Sequence, residues 1–172
     1  MTVNILIVDD LNTNLIYLEL LLKELDLKAK GIIDINILKA LTAKEALKMA
    51  ATEEVDLIIS DVEMPEMDGF ELAMFLQTDH KSKDIPVIFL TAAFKSEEFI
   101  NHGYELGAVD YFTKPIEKYQ FLNKISLYLE LFMKNSKLEQ AYKLLDDESK
   151  KNKLAIEKLE IQNKELMERI TI

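Results

Sequence analysis

Four short apolar runs in this chain each stop on a side chain able to do chemistry, and that pattern limits the folds open to it. Ile5-Leu6-Ile7-Val8 stops on Asp9 and Asp10, and Leu57-Ile58-Ile59-Ser60 stops on Asp61. Phe89-Leu90 stops on Thr91, and Tyr111-Phe112-Thr113 on Lys114. Short apolar runs that do not alternate with polar residues suit strands buried on both faces, as in a parallel sheet covered by helices. Open sheets of that kind bind ligands at the carboxyl ends of their strands, in the crevice where strand order reverses. Everything reactive here would lie on that edge.

Periodicity along the chain alternates between strand and helix, the pattern of a parallel α/β sheet. Strands are expected near Asn4 to Val8, Ile35 to Ala40, Leu57 to Ser60, Val87 to Leu90 and Asp110 to Phe112. Helices are expected near Asn12 to Leu25, Ala43 to Ala51, Gly69 to Gln77 and Ser96 to Leu106, with a fifth after the last strand. Thr42, with Glu45 three residues on, reads as a capping box. Pro115 suits the first turn of the fifth helix.

Asp9, Asp10 and Asp61 gathered at one place would repel by about 4 kcal/mol per close pair at an effective dielectric near 20. The group therefore needs a hard cation. Oxygen ligands with no Cys and no positioned His suit Mg2+ or Mn2+ and speak against Zn2+. A metal beside an Asp orients an incoming phosphoryl group, and Lys114 and Thr91 supply further donors. The chemistry implied is phosphoryl transfer onto a carboxylate. His80 and His102 are expected to be surface residues without a role.

Taken together, these residues resemble the receiver domain of two-component response regulators, of the chemotaxis-regulator type. The resemblance runs from residue 3 to about residue 130 and rests on several motifs in order. They are Asp9-Asp10 with Asn14 four positions on, Asp61 in Asp-x-x-Met-Pro-x-Met-Asp-Gly, Thr91-Ala92, Gly107-Ala108, and Tyr111-Phe112-Thr113-Lys114-Pro115. The resemblance implies a flavodoxin-like, doubly wound five-stranded parallel sheet of order 2-1-3-4-5. It implies that Asp61 accepts the phosphoryl group with Mg2+, that Asp10 ligates the metal directly, that Asp9 helps through water, and that the carbonyl of Glu63 completes the protein ligands. Lys114 would contact the phosphate, Thr91 would close over it, and Tyr111 would swing inward. The donor would be a sensor histidine kinase, a phosphotransfer protein or a small acyl or amido phosphate. The output would pass through the face of the fourth helix, fifth strand and fifth helix. Such a chain is not an enzyme beyond its own phosphorylation and dephosphorylation. Against the resemblance, Lys28 to Ile33 add several residues before the second strand.

Two other classes share some of these features. A phosphohydrolase of the aspartyl-phosphate type would place an Asp two residues after its nucleophile, where this chain has Glu63. A scaffold that only dimerises would bind no Mg2+.

No Gly or Pro interrupts residues 116–172, which permits one helix of roughly 85 Å at 1.5 Å per residue. Leu131, Leu138, Leu145, Asn152, Leu159 and Leu166 recur every seven residues as position d. Tyr128, Asn135, Tyr142, Ser149, Ile156, Asn163 and Ile170 stand at position a, completing a coiled-coil seam. A receiver unit over residues 1–133 and a helical extension over 134–172, paired as a parallel homodimer, are expected. A second stripe of Leu122, Ile125, Leu129 and Phe132 would pack on the sheet. The extension carries 9 basic and 8 acidic residues, which leaves 12 and 23 for residues 1–133. That globular part, near -11, is a poor surface for nucleic acid. Absence of Cys, of an export signal and of any apolar run near 18 residues points to a cytoplasmic chain without a membrane span.

Overall fold

The computed structural model describes residues 2–25, 34–92, 101 and 103–170. Five parallel strands, β1 (Thr2–Val8), β2 (Asp34–Ala40), β3 (Leu57–Asp61), β4 (Val87–Thr91) and β5 (Ala108–Thr113), form one sheet in the order β2-β1-β3-β4-β5. That order matches the expected flavodoxin-like arrangement. Helices α1 (Asn12–Lys23), α2 (Ala43–Thr52) and α3 (Gly69–Thr78) follow the first three strands, and a C-terminal helix runs from Lys118 to Ile170. Asn101 and Gly103 to Glu105 are helical. The rest of the expected helix over Ser96 to Leu106 falls largely outside the described residues, as do the extra residues Lys28 to Ile33 and His102. No helix among the described residues is long and apolar enough to cross a membrane.

Side chains alternate across the pleat, so each strand serves two cores. Leu6, Val8, Ile58 and Phe89 join Ala43, Ala46 and Ala50 of α2 and Leu72, Ala73 and Leu76 of α3 in one buried cluster. Their neighbours Ile5, Ile7, Ile59, Ile88 and Leu90 point to the other face and are equally inaccessible. Leu15, Leu18, Leu21 and Leu22 are the buried residues of α1, Leu18 three residues and Leu22 seven residues after Leu15 on one face with Leu21 beside them. On β5, Phe112 meets Phe121 of the C-terminal helix with ring centroids 5.0 Å apart. An ion pair of 2.6 Å joins Lys118 to Glu24 after α1, placing both helices on the same side. Phe121 and Ile125 are fully buried whereas Leu122 is half-buried, so the inward stripe begins one residue earlier than expected.

Two expectations about helix starts need correction. Pro115 is not in the first turn of the last helix: it follows a cis peptide bond to Lys114, and the helix begins at Lys118. Glu117 sets that start, because its carboxylate accepts the otherwise unpaired N–H groups of Tyr119 and Gln120. Thr42 caps α2 through Glu45 N at 3.1 Å, but the Glu45 carboxylate bonds Leu41 N instead of returning to Thr42. The reciprocal box forms at α3, between Asp68 and Glu71.

The chain divides into two compact units, Met1–Tyr128 and Leu129–Ile172. The second is helix throughout its described length.

Candidate functional site

Strand order reverses between β1 and β3, and the register there sets Val8 beside Ser60. One step further, Asp9 leaves β1 as Asp61 ends β3. Asp61 lies beside Leu90, and Thr91 beside Thr113, which Lys114 follows. The fold thus brings the reactive strand ends to a single edge at the switch point, the crevice where such sheets bind ligands.

Lys114 joins the two buried acids. Its Nζ donates to Asp9 Oδ2 and to Asp61 Oδ2, each at 2.8 Å. Asp9 is fully buried and also accepts from Leu11 N at 2.9 Å and from Asn14 Nδ2 at 2.9 and 3.0 Å. Asn14, in the first turn of α1, therefore aims the Asp9 carboxylate. Asp61 is 6% exposed, and its Oδ1 accepts from Glu63 N at 3.3 Å. Burial pushes the Asp61 carboxyl above its usual range, against the opposing pull of Lys114. Burial also disfavours charge on Lys114, but its bonds to Asp61 and Asp9 outweigh this and hold its pKa above the ordinary lysine value. An ammonium shared by two carboxylates stays charged for that reason.

Ligand oxygens of Asp9, Asp10 and Asp61 lie within 4.8 Å of one another. Three hard oxygen donors with no sulfur or nitrogen among them fit a hard divalent cation. Beside this group lies a cavity of about 260 Å³, whose wall includes Tyr17, Leu18, Pro115 and Ile116 with Asp9 and Lys114 at the polar end.

The turn after Asp61 explains the Gly of the motif. Gly69 N donates to Val62 O at 2.9 Å, and a Cβ on Gly69 would meet the Asp61 carbonyl oxygen at 2.4 Å. Glu66, within the same turn, has φ of 67° and an ion pair of 2.7 Å with Lys44. Only a residue without a side chain lets α3 begin against the backbone of the reactive strand end.

Thr91 is buried at the end of β4, and its carbonyl accepts Lys114 N at 2.7 Å. Tyr111 lies half-buried between Phe89 and Tyr104, with centroids 5.5 and 5.3 Å away, and burial pushes its phenol up to about 12. The hydroxyl occupies room left by Gly103, where a Cβ would sit 1.3 Å from it. Sequence reasoning missed Gly103 and the aiming role of Asn14. Both roles depend on contacts between elements, which no local pattern announces. Midway along β5, Asp110 accepts from Tyr128 Oη at 3.0 Å and Lys124 Nζ at 2.7 Å, while its other oxygen accepts Tyr111 N at 2.8 Å.

Residues 5–126 match the family model described as the response regulator receiver domain. Among curated proteins, Histidine kinase P4 of Formosa agariphila is 40% identical over 126 residues, covering 73% of this chain and 8% of that protein. Response regulator PleD of Caulobacter vibrioides is 38% identical over 117 residues, 68% of this chain and 24% of that protein. The chain thus spans a minor part of these relatives. The crystal structure of chemotaxis protein CheY4 from Vibrio cholerae superposes with a TM-score of 0.62 at 28% identity, covering 73% of this chain and 97% of that one.

Proposed function

Because the chain belongs to the response regulator receiver domain family of two-component systems, we propose that Asp61 is its phosphoacceptor, in a Mg2+-dependent reaction with a sensor histidine kinase or phosphotransfer protein as donor. The observation carrying this reading is the shared ammonium: Lys114 lies 2.8 Å from an oxygen of Asp61 and from one of Asp9 at the sheet's switch point. Asp61 presents a carboxylate oxygen to phosphorus, a P–O bond forms, and the donor's imidazole nitrogen leaves with the electron pair of the broken P–N bond. Lys114 then holds the new phosphoryl oxygens, with Thr91 as a further donor. Asp9, Asp10, Asp61 and the Glu63 carbonyl would hold Mg2+, which when bound offsets charge on the transferring oxygens. The chain releases phosphate only from its own Asp61 and turns over no other substrate. Tyr111 and the face of β5 and the C-terminal helix carry the change outward. Beyond residue 133 the helix serves self-association.

Incubation with acetyl phosphate and Mg2+, followed by intact-mass measurement, tests the acceptor. Wild type should gain one phosphoryl group, and Asp61→Asn should gain none. Equal labelling of Asp61→Asn would overturn the assignment.

A further inference from the structure

Every side chain from Lys137 to Arg169 is exposed, although Leu138, Tyr142, Leu145, Ile156, Leu159 and Leu166 recur there at seam positions. Each of those six is more than half exposed. An unpartnered apolar stripe of this length marks an association surface. We propose that this helix pairs with a second copy of itself, parallel and in register, and that Ser149 and Asn152 with Glu148 and Lys153 lock that register. The inference rests on the self-association clause of the proposed function and specifies its partner and alignment.

The polar seam residues select the occupant. Asp146 to Lys153 contain no apolar side chain, and Ser149 and Asn152 fill consecutive a and d positions within them. Against a foreign apolar helix the Asn152 amide would be buried without a partner, whereas against its own copy it meets a matching amide. Parallel in-register pairing also sets Asn135 and Asn163 against themselves. Sliding by one heptad would face Asn152 with Leu145 or Leu159, and Ser149 with Tyr142 or Ile156. The antiparallel alignment that matches Ser149 with Asn152 would set Asn135 against Leu166 and Asn163 against Leu138.

Charge points the same way. Within the helix, Asp146 pairs with Lys150 at 2.5 Å and Lys134 with Glu130 at 3.0 Å. Glu139, Glu148 and Lys153 have no ion pair among the described residues, which leaves them available to a partner. In the parallel pair Glu148, at g, faces Lys153 at the following e of the other copy. The antiparallel alignment would instead bring Glu148 against Glu148 and Lys153 against Lys153, like charges that oppose it.

The full chain has no cysteine, so introduced ones report alone. Asn152→Cys should form a disulfide-linked dimer under mild oxidation, and Ser149→Cys should not gain from mixing with it. Cross-linking only in the mixture would establish the antiparallel alignment and overturn the proposal. Sedimentation separates the underlying reading: a chain that stays monomeric at several hundred micromolar sinks self-association itself, while a dimer that never cross-links at residue 152 sinks the register alone. Ser149→Ile with Asn152→Leu should associate at least tenfold more tightly yet admit pairings shifted by one heptad, read by mixing copies that carry Leu159→Cys with copies that carry Leu166→Cys. Strictly in-register cross-links in that variant would show that these two residues are not the lock.

Discussion

Among single residues, Gly103 and Asp61 act in opposite senses on what surrounds them. Gly103 leaves the space that the Tyr111 hydroxyl fills, and a methyl group there would overlap it at 1.3 Å. Gly103→Ala should therefore drive the ring outward and cost about 1 to 3 kcal/mol, the range of overpacked sites. An alkaline absorbance titration checks this: burial raises two phenols, Tyr111 and Tyr128, and the transition that is lost in Tyr111→Phe should return towards an ordinary phenol value in Gly103→Ala. Asp61 is a buried carboxyl whose pKa is raised, so its ionised form weakens the fold. The stability it contributes is present below the unfolded carboxyl pKa and disappears as pH rises through its higher folded value. Without divalent cation, Asp61→Asn should melt higher than wild type at neutral pH, and the difference should shrink on acidification. A lower melting temperature at neutral pH would contradict the burial argument.

At the scale of elements, helix ends and the β5 contacts account for what sequence reading did and did not capture. The strand runs were legible because each apolar stretch stops abruptly, and β3 ends on Asp61 itself, one residue past the expected limit. Asp68 with Glu71 carries a capping signal as plain as that of Thr42 with Glu45, yet only the former closes in both directions. The difference lies in where each glutamate reaches, and spacing does not encode that. Asp68→Ala should cost about 1 kcal/mol in urea unfolding. Pro115 misled because proline suits a first helical turn, whereas here the cap is Glu117, two residues on. The heptad assigned Tyr128 to the coil, but its hydroxyl is committed to Asp110 and to the Val109 carbonyl of β5. Tyr128→Phe should lose roughly 0.5 to 1.5 kcal/mol of stability, the net worth of one hydrogen bond. An unchanged urea midpoint would show that the contact contributes nothing.

For the whole molecule, the expected sheet order and the gathering of acids at its switch point follow from one another, since only the order β2-β1-β3 sets the ends of β1 and β3 side by side. Cation binding should reveal that geometry as added stability, about 2.7 kcal/mol when Mg2+ reaches one hundred times its dissociation constant. Asp10→Asn should reduce the gain in melting temperature, and a wild type indifferent to Mg2+ would refute the three-carboxylate site. Lys114 has a further consequence. It bonds Asp9 across 105 positions of sequence and Asp61 across 53. A ribosome must therefore have synthesised nearly the entire sheet before the acceptor has its ammonium, and the acceptor loses it again whenever the last strand detaches. Competence to receive a signal is in this way a report on completed folding: fragments and partly opened chains present carboxylates to the donor but not the assembled edge, and stay silent.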